Sequence, residues 1–239
     1  MRKKILAAVL IIILAGGYFL FIRSDNKASA PGSSAKSRSS GGQIRLNNKQ
    51  TSQYTIDNPD SVYYIVNKKR ALPSSFVPKN LVTFEGKQLR SDAANAMNQL
   101  FDGARADGIN FKMISGYRSY QYQVGVYGNY VRRDGQAKAD TYSARPGHSE
   151  HQTGLAADVG TGTCDLSICF GDSAGGRWLV DNAYKYGFII RYPKDKENLT
   201  GYQYEPWHIR YLGIDLATQV QKSGKTLEQF FGLPPATDY

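Results

Sequence analysis

Residues 149–158 read Ser-Glu-His-Gln-Thr-Gly-Leu-Ala-Ala-Asp, and residues 205–208 read Glu-Pro-Trp-His. These stretches hold two of the three histidines in the chain, His151 and His208, together with Asp158 and Glu205. Catalytic zinc sites commonly use three N or O ligands and keep a fourth position open, and a nearby carboxylate that does not bind the metal can act as general base. We therefore predict that His151, Asp158 and His208 bind Zn²⁺. Glu205, three residues before His208, is the predicted base.

The sequence around Asp158 supports the presence of a cation next to its carboxylate. It follows the small apolar run 154–157 and precedes Val159, so we expect its carboxylate to be at least partly buried. A buried carboxylate without a positive partner is unfavourable. The third histidine, His148, has no ligand role in this scheme, and we expect it to be an ordinary hydrogen-bonded residue.

The ordered spacing Ser-x-His-x-x-Gly-x-Ala-x-Asp, followed downstream by Glu-x-x-His, resembles the zinc D-alanyl-D-alanine carboxypeptidase family. That family includes the VanY-like D,D-carboxypeptidases and the related L,D-carboxypeptidases of bacterial cell walls. Together with further matching segments, the resemblance covers roughly residues 60–215. The further segments are residues 72–78, 115–119, 145–148 and 186–193.

The resemblance implies a compact zinc-peptidase fold and roles for three more residues. Arg118 is expected to stabilise the oxyanion or to bind substrate. Gln123 and Ser149 look like substrate-binding positions near the terminal carboxylate, although Ser149 is equally compatible with capping a turn. Tyr117, Trp207 and Tyr211 flank these motifs, and we expect them to lie at the site.

The N-terminal segment points to export. Arg2, Lys3 and Lys4 precede an uncharged, mostly apolar run that extends to Ile22. Such a run suits a membrane anchor or a secretory signal. We predict an anchor or signal over residues 1–23, with an uncleaved anchor favoured, and an extracytoplasmic location for the rest of the chain, or secretion if the segment is cleaved.

Charge and composition then separate a tether from a domain. Residues 1–50 carry nine Lys and Arg against one acidic residue, which accounts for eight of the ten net positive charges. Residues 24–51 are rich in Ser, Gly, Lys and Asn and are predicted to be a flexible tether, and residues 52–239 to be the zinc carboxypeptidase domain. Because the domain itself is nearly neutral, we expect no nucleic-acid partner. We expect a monomer.

Cys164 and Cys169 are the only cysteines. Outside the membrane a close pair favours a disulfide, and the lack of a third or fourth thiol disfavours a structural zinc site. Free thiols remain the alternative.

Periodicity predicts a helix over 91–107, with Ser91 or Asp92 as its cap and an apolar face formed by Ala94, Met97, Leu100, Phe101 and Ala104. Further helices are predicted from Ser119, as the cap, to about 133, and over 173–186. Strands are predicted over 111–115, 188–192 and 207–211. This order indicates an α+β fold, a small mainly antiparallel sheet with helices packed against it.

These observations favour a metallo-carboxypeptidase that removes the terminal D-alanine from peptidoglycan stem peptides, its expected partners. A wall endopeptidase with the same zinc site is the first alternative. A non-catalytic wall-binding module is the second, although such a module needs no general base. A serine-type peptidase is disfavoured because both Ser-x-x-Lys matches, at Ser24 and Ser33, lie in the tether and no Lys-Thr-Gly motif occurs.

Overall fold

The computed structural model describes residues 53–239. The predicted anchor or signal segment and the predicted tether both lie outside the described residues. Within residues 53–239, no helix combines the length and the apolar character that a membrane crossing needs.

The described chain contains six strands, several helices and three short 3₁₀ turns. The strands are β1 (Leu81–Phe84), β2 (Lys87–Arg90), β3 (Lys112–Ser115), β4 (Ala156–Gly160), β5 (Phe188–Ile190) and β6 (His208–Tyr211). The helices are α1 (Ser91–Ala106), α2 (Tyr120–Asp134), α3 (Gln136–Ala139), α4 (Ala174–Asn182), α5 (Glu197–Thr200), α6 (Ile214–Ser223) and α7 (Leu227–Phe231). The 3₁₀ turns are Glu150–Thr153, Ile168–Asp172 and Ala183–Tyr186.

Four strands form an antiparallel sheet in the order β3-β4-β6-β5, while β1 and β2 form a separate hairpin. The predicted α+β class is therefore confirmed. The three predicted strands correspond to β3, β5 and β6, each within about two residues of the expected bounds. The sequence interpretation missed the hairpin, β4 and the helices that follow β6.

Helix α1 shows how the sequence builds the core. Its predicted apolar face is buried, and it packs with Phe188 and Ile209 of the sheet in one hydrophobic cluster. The prediction that Ser91 or Asp92 caps this helix is wrong, because Arg90 occupies the N-cap and no side chain caps it. In contrast, Ser119 caps α2 as predicted, by accepting a hydrogen bond from the backbone N–H of Tyr122.

The two faces of the sheet differ in chemistry. Successive side chains in a strand point to opposite faces, and paired residues of antiparallel strands share a face. Ala157 of β4 and Ile209 of β6 are register partners and belong to the hydrophobic cluster around α1. Their neighbours Asp158 and His208 are also register partners, and so point to the other face. The alternation thus places the ionisable groups on the face opposite this core.

The structure joins Cys164 and Cys169 in a disulfide, with their Cα atoms 5.7 Å apart. The predicted pairing is confirmed. The bridge closes part of the connection between β4 and α4, which matters for the cavity described below.

Candidate metal centre and active site

Three local structures deliver the predicted metal ligands to one point. His151 lies in the turn Glu150–Thr153, Asp158 is the third residue of β4, and His208 begins β6. The turn ends at Gly154 in the left-handed region, at φ 68°, where a side chain would be strained and would press against Leu81. Gly154 therefore lets the chain leave the turn that holds His151 and enter β4 two residues later.

The side chains of His151, Asp158 and His208 converge as predicted. His151 Nε2 lies 3.3 Å from Asp158 Oδ2, and His208 Nδ1 lies 3.2 Å from Asp158 Oδ1. One ligand atom from each of the three residues lies within 4.8 Å of the others, and all three side chains are buried. These residues are suitably placed to hold one metal ion.

Each imidazole is oriented by a hydrogen bond from the nitrogen that faces away from Asp158. His151 Nδ1 donates to the carbonyl oxygen of Gly116 at 2.7 Å. His208 Nε2 lies 3.3 Å from Glu150 Oε2 and donates to that carboxylate. Such outer partners fix the tautomer of metal-binding histidines. Here they leave His151 Nε2 and His208 Nδ1 as the nitrogens available to a metal.

The donor set fits Zn²⁺. His151 Nε2 is buried and has no hydrogen-bond partner among the described residues. Because its Nδ1 carries the proton, Nε2 presents a lone pair to a carboxylate oxygen, an arrangement that is unfavourable without a cation between them. Burial, and then the Arg118 charge, lower the pKa of His151 to about 4, so the ring is neutral at pH 7. Two imidazoles and one carboxylate are ligands that zinc accepts.

The two neighbouring imidazoles keep Asp158 ionised. Burial opposes its charged form, but His151 and His208 hold the pKa of this carboxyl well below its usual range. For His208, burial is outweighed by hydrogen bonds to Asp158 and Glu150, which raise its pKa to about 9. In the metal-free site, the carboxylates of Asp158 and Glu150 therefore already flank one positive charge, that of His208.

Glu205 lies beside this group rather than within it. Its Oε2 is 3.9 Å from His208 Nδ1, and the side chain is buried. The turn from Glu205 to His208 is closed by a hydrogen bond from His208 N to Glu205 O. Burial, reinforced by Asp158, raises the pKa of Glu205 to about 8. A bound dication would lower this value and leave a carboxylate able to accept a proton near neutral pH.

A cavity of about 180 Å³ adjoins the group, and the other predicted site residues line it. Arg118 Nη2 lies 3.8 Å from Asp158 Oδ2, while its Nε is buried without a hydrogen-bond partner among the described residues. Gln123 donates from Nε2 to Ala144 O at 2.7 Å, which leaves its acceptor Oε1 unpaired. Gln123 is therefore better suited to receive an N–H group than a carboxylate. Ser149 is buried and makes no capping hydrogen bond.

Aromatic side chains form part of the cavity wall. Trp207 lines the cavity, whereas Tyr117 and Tyr211 are not among its lining residues. Tyrosines from other segments line it instead, namely Tyr130, Tyr142, Tyr192 and Tyr202. His148 lies outside the metal group, with Nδ1 2.9 Å from Asn67 O, as expected of a structural histidine.

A buried ionic network behind His208 was not predicted. Glu150 Oε1 accepts hydrogen bonds from Arg191 Nε at 2.9 Å and from Arg210 Nη1 at 2.8 Å. Arg191 also forms a bidentate pair with Glu228 of α7. All four side chains are almost fully buried. No local pattern marks these residues, because the partners are separated by 37 to 60 positions in the chain.

The sequence model of the VanY family, described as D-alanyl-D-alanine carboxypeptidase, matches residues 86–214, which is more than half of the chain. The chain belongs to the VanY family. All the predicted metal ligands and Glu205 lie within the matched range. Membership makes this VanY-family protein an enzyme, a carboxypeptidase of the D,D or L,D type.

Similar proteins include both types. YodJ of Bacillus subtilis, named as a carboxypeptidase, is 46% identical over 189 residues, covering 74% of this chain and 69% of YodJ. The LD-carboxypeptidase LdcB, whose structure is described as revealing peptidoglycan recognition, is 43% identical with a TM-score of 0.69, covering 73% of this VanY-family chain and 87% of LdcB. A vancomycin-resistance D,D-pentapeptidase VanY solved with Zn(II) is 35% identical with a TM-score of 0.62. The match covers 70% of this chain and 96% of that VanY.

Proposed function

We propose that this protein is a zinc-dependent carboxypeptidase that removes the terminal D-alanine from peptidoglycan stem peptides. The observation that carries the proposal is the buried His151–Asp158–His208 group, with the unpaired Nε2 of His151 facing a carboxylate. The Zn(II) complex of the similar VanY and the peptidoglycan recognition ascribed to LdcB support the metal and the substrate class.

The chain supplies every group that a metal-assisted peptide hydrolysis needs. Zinc held by His151, Asp158 and His208 would polarise the scissile carbonyl and acidify a water molecule. Glu205 takes the proton of that water and delivers it to the departing amine, because its carboxylate adjoins the metal group without belonging to it.

The remaining cavity residues bind and orient the peptide. The guanidinium of Arg118 faces the same space and stabilises negative charge on the carbonyl oxygen or holds the terminal carboxylate. Gln123 Oε1 accepts a peptide N–H, and the Ser149 hydroxyl donates to a substrate oxygen. Burial of Gln123 and Ser149 excludes water and strengthens their contacts.

Product analysis tests the function and its D,D or L,D type. The purified full-length chain is incubated with a stem pentapeptide and, separately, with a stem tetrapeptide, with and without a chelator, and the products are weighed by mass spectrometry. Chelator-sensitive loss of one alanine from the pentapeptide alone indicates D,D activity, and the same loss from the tetrapeptide indicates L,D activity. An internal cut favours an endopeptidase. No cleavage by zinc-loaded protein refutes the proposal and favours a binding module.

We further propose that the domain acts outside the cytoplasm, anchored by residues 1–23. The disulfide between Cys164 and Cys169 supports an oxidising compartment. Fractionation of the native host tests this location: recovery of the chain in the soluble cytoplasmic fraction would contradict it.

A further inference from the structure

The loop between β4 and α4 is ordered by its own contacts. The Cys164–Cys169 disulfide closes its central part. Between these cysteines, the Asp165 carboxylate accepts hydrogen bonds from the backbone N–H groups of Thr161 and Gly162, at 2.9 to 3.1 Å. The loop therefore holds a fixed shape although it has little regular secondary structure.

Leu166 stands at the tip of this closed loop and lines the catalytic cavity. Its side chain is 46% exposed, so it sits at the mouth of the cavity rather than in the core. Its φ of 55° lies in the left-handed region, which is unfavourable for a residue with a Cβ. Leu166 thus combines an exposed apolar side chain with a strained backbone, and neither feature helps the domain to fold.

Strained residues persist where the surrounding structure imposes them, and they cluster at ligand-binding sites. Much of the cavity lining is charged or carries hydroxyl and amide groups, whereas Leu166 presents an aliphatic surface. A substrate residue that crosses the mouth would cover Leu166 and remove its apolar surface from water.

We propose that Leu166 is a specificity-determining residue, which packs against the aliphatic part of the stem-peptide residue that crosses the mouth of the cavity. The disulfide and Asp165 hold it in position. This inference rests on the proposed function, and it adds a contact that lies outside the metal group and its neighbouring polar residues.

The same loop offers a matched control. Ile168 is two residues away, lies within the same disulfide ring and is 54% exposed, but it is not among the residues that line the cavity. Truncation of Leu166 and of Ile168 therefore removes similar exposed apolar surface from one loop, and only the Leu166 change affects the cavity.

The test compares steady-state kinetics of full-length wild type, Leu166→Ala, Leu166→Gly and Ile168→Ala on the stem peptide that the wild type cleaves. We expect both Leu166 variants to lose about 10-fold in kcat/KM, mainly through KM, as is usual for a lost apolar substrate contact. Ile168→Ala is expected to stay within about twofold of wild type, because it makes no such contact. Leu166→Gly relieves the left-handed strain, and we expect its Tm to be no lower than that of Leu166→Ala.

The outcomes are distinct. If the wild type cleaves the peptide and both Leu166 variants keep the wild-type kcat/KM, the inference on Leu166 is overturned and the proposed function still stands. An equal loss in Ile168→Ala overturns it as well, because the effect then comes from the integrity of the loop. A zinc-loaded wild type that cleaves neither peptide overturns the proposed function, and this inference with it.

Discussion

The variant Glu150→Gln tests whether Glu150 orients His208, a proposed metal ligand, in addition to stabilising the fold. Glu150 Oε1 accepts from both Arg191 and Arg210, whereas Oε2 accepts from His208 Nε2. In the variant, the single amide oxygen is held by the two guanidinium groups, and the amide NH₂ turns toward His208. In the neutral ring that a metal requires, Nε2 must then become an acceptor, which moves the ring proton to Nδ1 and removes the lone pair that would bind the metal.

The expected magnitudes follow from these contacts. Loss of an outer partner of a metal-binding histidine typically weakens metal affinity by about 10- to 100-fold. Removing one member of a buried ion pair costs about 3–5 kcal/mol, because a charge is left without its partner. At about 2–4 °C per kcal/mol for a domain of this size, the metal-free protein should melt roughly 6–20 °C lower.

Glu228→Gln is the matched control. Glu228 is equally buried and also pairs with Arg191, but it does not contact His208. We expect it to destabilise the metal-free protein by a similar amount while zinc affinity stays near the wild-type value. Zinc dissociation constants, measured by competition with a chromophoric chelator below the melting temperature, and thermal melts of metal-free protein give the two readouts.

The reasoning would be refuted if Glu150→Gln bound zinc within about twofold of wild type. It would also fail if Glu228→Gln lost as much zinc affinity as Glu150→Gln. In that case the network would act only by stiffening the domain, and the hydrogen bond to His208 would have no separate role.

Four further variants test the remaining assignments. Glu205→Gln should keep stoichiometric zinc and lose most activity, since an amide cannot take up a proton; near-native turnover would remove Glu205 as the base. His208→Ala should lose zinc and activity together, and metal analysis showing one bound ion per chain would contradict its ligand role. Arg118→Ala should lower kcat by about 10²- to 10³-fold with zinc retained, as for other preorganised donors. A loss below about threefold would argue against a role of Arg118 in stabilising the carbonyl oxygen. The paired change of Cys164 and Cys169 to Ala should raise KM with little change in zinc content, and an unchanged KM would show that the disulfide does not position the loop.

The proposed metal ligands could be predicted because they fall in two short ordered motifs. His151 and Asp158 lie seven residues apart in one segment, and Glu205 precedes His208 by three. Residues so close in sequence remain near one another in space whatever the rest of the chain does, although His151 lies in a turn and Asp158 in β4. The apolar face of α1 was predictable for the same reason, since its period follows from helix geometry alone.

Strand β4 was missed because its sequence, Ala-Ala-Asp-Val-Gly, lacks the alternation of a half-buried strand. It is buried along its whole length, so neither face needs polar residues. Only its pairing with β3 and β6 defines it as a strand, and that pairing sets Asp158 opposite His208.

By itself, the sequence identified the candidate metal ligands, singled out Glu205 as the proposed base and indicated the class of fold that holds them. The tertiary structure decided which imidazole nitrogens face Asp158, that Glu150 and two buried arginines stand behind His208, and that Leu166 reaches the cavity. The physical reason is the range of the interactions. A motif records neighbours along the chain, whereas a tautomer and a buried ion pair depend on groups that only folding brings within hydrogen-bond distance.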